Sequence, residues 1–210
     1  MPRKRRTYHH GDLKNALIAA GLDILSKSGV SALSLRSVAQ RVGVSHAAPY
    51  AHFADKQALI AAISTAGYER LYEEIRAVVA AHEQDPARQL VEAGWAYVQF
   101  GLDDPAHFKV TLSGVVEKEQ EYPAFVEVSK KSFGQVVGIV HACQAKGVLP
   151  RGETDLVAVG VWSMIHGLVS LLLENQIPHS VIDRLSVRRL LVTTLNQMAH
   201  IDLEEQCAAS

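Results

Sequence analysis

Polar side chains that could contact a nucleic acid stand close together between residues 45 and 56 of this 210-residue chain. They include a serine hydroxyl, two imidazoles and a phenol, which can donate hydrogen bonds to phosphates or to the edges of bases. A lysine at the end of the segment adds a charge that is favourable beside a phosphate. Alanines separate these groups and leave the backbone able to approach another surface closely. The candidate contact residues are Ser45, His46, Ala47, Ala48, Tyr50, His52 and Lys56.

Two short helices on either side of a glycine turn would position these groups. Ser34 is a good N-cap for the first helix, because its hydroxyl can accept a hydrogen bond from a backbone N–H of the first turn. Gly43 suits the turn, since glycine adopts positive φ without steric cost. Ser45 is expected to cap the second helix, with Pro49 near its first turn. The spacing predicts a helix-turn-helix that enters the DNA major groove, although a helical hairpin in the core of another all-α protein would show the same spacing.

The charge of the chain is unevenly distributed. Residues 1–60 hold nine of the 21 Lys and Arg residues and three of the 22 acidic ones, a net charge of +6. The remaining twelve basic and nineteen acidic residues give residues 61–210 a net charge of −7. A positive head on a negative body favours approach of that head to a polyanion. The basic run that includes Arg5 and Arg6 would contact phosphates or a minor groove, or would be a solubilising tail.

Four stretches of the N-terminal sequence form a specific pattern. They are Leu17–Leu25, Leu35–Ala39, Gly43–Ser45 and Tyr50–Lys56. Together they resemble the N-terminal DNA-binding domain of the TetR family of bacterial transcriptional regulators. This resemblance implies a three-helix DNA-binding domain that is followed by a helical domain for ligand binding and dimerisation.

The resemblance also extends the set of candidate DNA contacts. Leu35 and Arg36, at the start of the first helix of the motif, are added to it. Ala51 departs from the family pattern, because many relatives have a basic or polar residue at that position. One possible DNA contact is therefore missing from this chain.

The remaining sequence shows the spacing of helices and no convincing alternating strand. We therefore expect an all-α chain of about nine helices, with an N-terminal three-helix helix-turn-helix domain and a C-terminal helical domain. One long helix from Asp55 is expected to link the two domains, and the last helix is expected to run from Ser180 to His200. The expected divisions are a basic arm (1–11), the DNA-binding domain (12–60), the C-terminal domain (61–203) and a tail (204–210).

A second motif lies in the most apolar part of the sequence. Trp162, His166 and Gly167 resemble the pattern of one TetR subgroup, which is named for Trp, His and Gly in its C-terminal domain. Trp162 and His166 are four residues apart and would lie on one face of a helix. Ordinary packing also explains the tryptophan. His166 could orient a polar group of a ligand or be a hydrogen-bonded core histidine.

The family resemblance implies a cavity for a small ligand among the helices of the C-terminal domain. Aromatic residues with a few polar groups suit a small, mostly apolar ligand, although residues of these types belong more often to the core than to a pocket. The candidate wall residues are Trp95, Tyr97, Val98, Phe108, Leu112, Phe125, Phe133, Val137, His141, Trp162 and His166.

In the family, the last two long helices usually pair with those of a second copy. Their apolar residues outnumber what one small bundle needs, so a two-fold symmetric homodimer would bury them. Such a dimer would present two heads to a pseudo-palindromic site on double-stranded DNA. The candidate interface residues are Leu168, Leu171, Leu172, Leu185, Leu190, Leu191, Leu195 and Met198.

Other classes of function find little support in the sequence. There is no Ser-His-Asp arrangement, phosphate-binding glycine loop or metal-ligand spacing, so no catalytic residue, metal or cofactor is expected. His9 and His10 form a pair without the further ligands that a metal needs. Cys143 is expected to be a buried apolar residue and Cys207 to lie in a frayed tail. No apolar stretch long enough to span a bilayer and no signal peptide after Met1 are found, so a cytoplasmic location is expected.

The sequence therefore predicts a homodimeric DNA-binding repressor that a small ligand releases from its operator. Release requires that the ligand favour a conformation in which the two heads are wrongly spaced for DNA. A DNA-binding regulator without a small-molecule effector, or an activator, is the alternative. The position of the operator decides between repression and activation.

Overall fold

The computed structural model describes residues 10–112 and 114–208, and the regular structure of these residues is entirely helical. The all-α prediction is confirmed. Short 3₁₀-helices cover Ala48–Ala51 and Glu119–Glu121. The α-helices are α1 (His10–Ala32), α2 (Leu35–Val42), α3 (Lys56–Ala81), α4 (Pro86–Asp103), α5 (Pro105–Leu112), α6 (Pro123–Ala145), α7 (Thr154–Leu173), α8 (His179–Ile182), α9 (Val187–Asn196) and α10 (Leu203–Ala208).

The chain divides into two compact units. The head unit contains the residues up to Gly67 and Ala106–Val126, and the body unit contains Tyr68–Pro105 and the residues from Glu127 onward. Helix α3 therefore begins in the head unit and ends in the body unit, whereas almost all of α5 belongs to the head unit. The expected domain boundary after residue 60 falls inside α3.

Apolar side chains from α1, α2 and α3 form the core of the head unit. Leu17, Val38, Leu59 and Ile63 are fully buried there. Burial of each such side chain contributes about 1.5–3 kcal/mol relative to leaving it exposed. Helix α1 bends at Gly29, where φ is 74° and ψ is 177°, so its regular part ends close to that glycine.

Helix α5 packs directly on the backbone of α3 within the head unit. His107 Nε2 donates a hydrogen bond to the Ile63 carbonyl (2.9 Å), and the His107 side chain is buried. Gly67 makes this approach possible, because a Cβ atom at that position would lie 2.0 Å from Thr111 Oγ1. The absence of a side chain at one residue of α3 therefore sets the distance between these two helices.

The core of the body unit lies among α4, α7 and α9. Val98, Val161 and Leu191 are almost fully buried there. Cys143 is also buried, as predicted, and its thiol donates to the Pro86 carbonyl (3.2 Å). Burial raises the pKa of the Cys143 thiol to about 12, so this cysteine is a packing residue and not a reactive thiolate at neutral pH.

The C-terminal part of the chain differs from the prediction in two places. The expected single helix from Ser180 to His200 is two helices, α8 and α9. Ser186 caps the second of them, since its hydroxyl accepts a hydrogen bond from the Arg189 N–H (3.2 Å). The expected tail also folds in part, because α10 begins at the fully buried Leu203.

Helix α7 is very apolar, although most of its residues are only half-buried or exposed in one copy of the chain. An 18-residue window of it has a mean hydropathy of 2.1, and 28% of that window is buried. By length and composition α7 could cross a membrane, which corrects the expectation that no stretch is long enough. Leu156, Val159 and Leu171 on α7 are exposed. Exposed apolar side chains on one helix make that helix a candidate interaction site.

Candidate nucleic-acid interface

The first helix of the predicted helix-turn-helix is α2. Its N-terminus has a reciprocal cap, in which the Ser37 N–H donates to Ser34 Oγ (3.0 Å) and the Ser34 N–H donates to Ser37 Oγ (2.9 Å). At its C-terminus Gly43 adopts the left-handed conformation (φ 81°, ψ 32°) and donates its N–H to the Ala39 carbonyl (3.0 Å). The first helix and the glycine turn are therefore confirmed.

The second element is not the α-helix that the sequence pattern predicts. It is a turn over residues 46–47 followed by the 3₁₀-helix Ala48–Ala51. The Ser45 side chain does not cap it, although the Ser45 carbonyl accepts a hydrogen bond from the Ala48 N–H (3.0 Å). Pro49 explains the difference, since it has no N–H to donate to the Ser45 carbonyl, which would be the first hydrogen bond of an α-helix capped by Ser45.

The outer face of this element presents small and polar side chains to solvent. Its inner face is anchored by Pro49 and Phe53, which are buried. Tyr50 lies between them in sequence and is nevertheless 62% exposed. Tyrosine combines an apolar ring with a hydrogen-bonding hydroxyl and is for that reason common at binding surfaces. The other exposed residues are Ser45, His46, Ala47 and Ala51, and Ala48 and His52 are half-buried.

Other predicted DNA contacts lie in different environments. The Leu35 side chain is buried in the head unit, so only its backbone could face DNA. Arg36 is exposed and forms no ion pair with any other residue that the structure describes. Arg5, Arg6 and His9 lie outside the described residues.

Several basic side chains of the head unit are held by contacts that the sequence did not indicate. Lys56 Nζ donates to the Val30 carbonyl (2.5 Å) near the end of α1. Arg41 and Lys27 both pair with Asp23, with Lys27 Nζ at 2.6 Å. The hydrogen bond from Lys27 is the main cause that holds the pKa of Asp23 below its usual range. An ammonium group has three N–H donors, so Lys56 can contact a phosphate while it keeps its bond to Val30. That phosphate contact stays a prediction.

An apolar cavity lies among α3, α4, α6 and α7 in the body unit. The space that a water-sized sphere can enter is small, about 30 Å³. Only two side chains of the wall carry polar atoms, those of Tyr97 and Trp162. The lining residues are Ile75, Leu90, Ala93, Gly94, Tyr97, Val136, Ile139, Val161, Trp162 and Ile165.

The polar atoms of the cavity wall are paired with each other and with His166. Trp162 Nε1 donates to Tyr97 Oη (3.1 Å), and Tyr97 Oη lies 2.7 Å from His166 Nδ1. The indole N–H can only donate, so Tyr97 Oη accepts from Trp162, whereas the direction of the bond between Tyr97 and His166 depends on the histidine tautomer. Burial raises the pKa of Tyr97 and lowers the pKa of His166, so both side chains are neutral near pH 7.

Most of the predicted wall residues lie away from this cavity. The structure brings Tyr97 and Trp162 to the wall, with His166 bonded to Tyr97 and the Phe133 ring centre 6.1 Å from that of Trp162. Apolar spacing does not show which face of a helix meets a void, so the aliphatic wall residues were missed. The predicted residues outside the wall are Trp95, Val98, Phe108, Leu112, Phe125, Val137 and His141, and of these Phe108, Leu112 and Phe125 belong to the head unit.

Three of the predicted interface residues are buried within one copy of the chain. Leu168, Leu191 and Leu195 pack in the core of the body unit. Apolar spacing does not distinguish the residues that a helix turns toward its own core from those it turns outward, so the interface assignment of these three residues stays a prediction. Of the other predicted interface residues, Leu171 is exposed, and the half-buried ones are Leu172, Leu185, Leu190 and Met198.

Two family models match the chain. Residues 17–63 match "Bacterial regulatory proteins, tetR family", and residues 90–195 match "Tetracyclin repressor-like, C-terminal domain". The chain belongs to the TetR family. It is therefore a DNA-binding transcriptional regulator, in a family of regulators and not of enzymes. Membership of the subgroup named for Trp, His and Gly is not confirmed, since the C-terminal match is to a different domain family.

Relatives of this TetR-family regulator include proteins from several bacteria. It is 23% identical over 166 residues to the uncharacterized HTH-type transcriptional regulator YobS of Bacillus subtilis, covering 79% of this chain and 81% of the relative. It is 44% identical over 52 residues to the tetracycline repressor protein class A from transposon 1721 of Escherichia coli, covering 25% and 24%. A solved protein of unknown function from Rhodococcus sp. RHA1 has a TM-score of 0.75 and 28% identity, covering 93% and 100%.

Proposed function

We propose that this regulator is a homodimeric repressor whose affinity for its operator is lowered by a small, uncharged and mostly apolar ligand. The observation that carries this proposal is the apolar cavity of the body unit, whose polar side chains, Tyr97 and Trp162, are hydrogen-bonded to each other. Since the family binds DNA through the head, a molecule that enters the body acts on that binding from a second site.

The DNA contact is proposed for the outer face of the 3₁₀-helix and the turn before it. Tyr50 would donate its hydroxyl to a phosphate, whereas Ser45 and His46 would reach base edges or phosphates. Lys56 and Arg36 would neutralise phosphates and thereby release counterions. The proposed set also includes Arg5, Arg6, Leu35, Ala47, Ala48 and His52.

A homodimer is supported by the exposed face of α7. At 100° per residue, Leu156, Val159 and Leu171 lie on one side of that helix. Gly167 lies in the middle of this face, and no atom is within 4 Å of the place where its Cβ would be. A helix of a second copy could therefore come close and cover the leucines, with two-fold symmetry. We place the protein in the cytoplasm, where a second copy and not lipid covers α7.

Helix α3 is the proposed path between ligand and DNA. It begins at Lys56, close in sequence to the DNA contacts, and contributes Ile75 to the cavity wall. The cavity holds about 30 Å³ of water-sized space, far below the roughly 300–1,000 Å³ of typical ligand sites. A ligand must therefore part the surrounding helices as it binds. It shifts DNA affinity only if it favours that expanded conformation.

Because the polar atoms of the cavity wall are already hydrogen-bonded, the cavity favours an uncharged and mostly apolar ligand. A charged group placed in this cavity would lose its hydration without gaining an opposite charge, which costs several kcal/mol. A strong hydrogen-bonding group would have to break the bond between Trp162 and Tyr97 or that between Tyr97 and His166. An uncharged aliphatic or aromatic molecule avoids both costs.

The test is the selection of bound duplexes from a random pool by the full-length protein, followed by a screen of metabolites for release. We expect a pseudo-palindromic site that binds two copies of the chain, and release by uncharged apolar compounds. The matched compounds 1-decanol, decanoate and decylamine differ only at the head group, and only the alcohol should release DNA. Compounds that bind the protein but leave operator affinity unchanged would contradict the coupling.

A regulator without a small-molecule effector is the second candidate. The observation that favours it is the same small volume of the cavity, which could be a packing defect of the core. In that case the selected operator would be found, but no compound would change the affinity for it. Mapping the selected site relative to the promoter then separates repression from activation.

A further inference from the structure

The outer face of the proposed DNA-contacting element carries alanine methyl groups beside its polar side chains. In a 3₁₀-helix, residues three apart lie above one another, so Ala47 stands next to Tyr50 and Ala48 next to Ala51. Ala47 and Ala51 are exposed, while Ala48 is half-buried. Because Pro49 anchors the opposite side in the core, these alanines cannot turn inward.

The same element lacks the side chains that read most bases by paired hydrogen bonds. Arg and Lys make such pairs with guanine, Asn and Gln with adenine, and Glu and Asp accept from cytosine. None of these residue types occurs in residues 45–52. Ser45, His46, Tyr50 and His52 offer hydrogen bonds, of which several are suited to phosphates. Base discrimination by this element must therefore depend largely on another kind of contact.

A methyl group has one matching feature in the major groove, the C5-methyl group of thymine. We infer that Ala47 and Ala51 read thymine methyl groups, and that each operator half-site has thymine at the positions that face them. This inference rests on the proposed DNA interface. It does not extend to bases that face Arg36 on α2, whose guanidinium could read guanine.

Replacement of thymine by deoxyuridine tests this inference directly, since uracil lacks only the C5-methyl group and pairs in the same way. After selection of the operator, each thymine is replaced singly and symmetrically in both half-sites. We expect one or two positions at which uracil weakens binding about fourfold per half-site, the equivalent of about 0.8 kcal/mol for one buried methyl-sized group.

Glycine variants assign the methyl contacts to residues. Ala47→Gly or Ala51→Gly should bind the thymine duplex about as weakly as the unaltered protein binds the uracil duplex, and should no longer distinguish thymine from uracil at one position. Ala54→Gly is the matched control, because Ala54 is exposed but lies outside the element. This control should keep the full discrimination. Thermal unfolding of each variant checks that the head remains folded.

The possible outcomes separate this inference from the function on which it rests. If the operator binds equally well with uracil at every thymine, or if both glycine variants retain the discrimination, the methyl readout is overturned and the DNA interface stands. Selected half-sites without thymine would overturn it as well. A pool from which no sequence is enriched would contradict the proposed sequence-specific interface and this inference with it.

Discussion

At the scale of single residues, Tyr50 is an exposed aromatic residue of the proposed DNA interface. Its sequence neighbour Pro49 and the nearby Phe53 are both buried, yet the Tyr50 ring remains in solvent. An exposed aromatic ring contributes little to the stability of the isolated chain. This exposure supports the phosphate contact that we propose for its hydroxyl.

We predict that Tyr50→Phe weakens operator binding without affecting the fold. One hydrogen bond to a charged phosphate is lost, which costs about 1.5 kcal/mol or roughly tenfold in affinity. The measurement is operator titration at fixed salt, together with urea unfolding. Tyr72→Phe removes a phenol hydroxyl from α3 in the body unit and serves as the control. Equal operator affinities for the Tyr50 variant and the unaltered protein would place the phosphate contact elsewhere.

The hydrogen bond that Lys56 makes within the head unit could not be predicted from the sequence. Its amine donates to the Val30 carbonyl, 26 residues earlier in the chain. A lysine in the first turn of a helix is unfavourable for the helix dipole, so its position suggests only a phosphate contact. The carbonyl contact depends on how α1 ends after Gly29, which is a tertiary feature.

Among the elements, α2 could be predicted because its signals are local. The two serines of its cap are three residues apart, and the glycine that ends it needs only a positive φ. The next element was predicted wrongly, since Pro49 was treated as a tolerated first-turn residue. Its missing N–H removes the hydrogen bond to the Ser45 carbonyl that would begin an α-helix, and the shorter 3₁₀-helix forms instead.

The close contact between α3 and α5 predicts how a substitution at Gly67 changes the stability of the head unit. A Cβ at Gly67 would lie 2.0 Å from Thr111 Oγ1 and 2.9 Å from His107 Nε2. Gly67→Ala should therefore destabilise the head unit, because overpacking of about 1–3 kcal/mol exceeds the roughly 1 kcal/mol that alanine gains in helix propensity. Thermal unfolding should show a lower midpoint, by several degrees at most.

Gly134→Ala is the matched control for this prediction. Gly134 lies within α6, and no atom is within 4 Å of the place where its Cβ would be. The same substitution should leave stability unchanged or raise it, through helix propensity alone. If Gly67→Ala were as stable as Gly134→Ala, the close packing of α5 on α3 would not hold in solution.

On the scale of the whole molecule, the sequence indicates which end of the chain binds DNA. It does not indicate which residues line the cavity or face a second copy. The positive charge of residues 1–60 and the motif around Gly43 identify the DNA-binding end. The cavity wall could not be read in the same way, because its aliphatic residues differ in no local signal from core residues. Leu191 and Leu195 were assigned to an interface for the same reason, although they pack inside one copy.

Helix α7 would link the proposed homodimer to the proposed ligand response. This helix contributes Val161, Trp162 and Ile165 to the cavity, and its exposed face carries Leu156 and Leu171. A ligand that displaces α7 would therefore also act on the proposed interface between two copies. Ligand, dimer and operator then form one thermodynamic system, in which each binding equilibrium depends on the others.

Because such coupling is reciprocal, the most direct test is to measure ligand affinity with and without DNA. A releasing compound is titrated into the protein alone, into the protein saturated with the selected operator, and into the protein mixed with a scrambled duplex. We predict that the operator weakens ligand binding by the same factor by which the ligand weakens operator binding, typically about 5- to 150-fold. The scrambled duplex should have little effect. Equal ligand affinities in the presence and absence of the operator would contradict ligand-released repression.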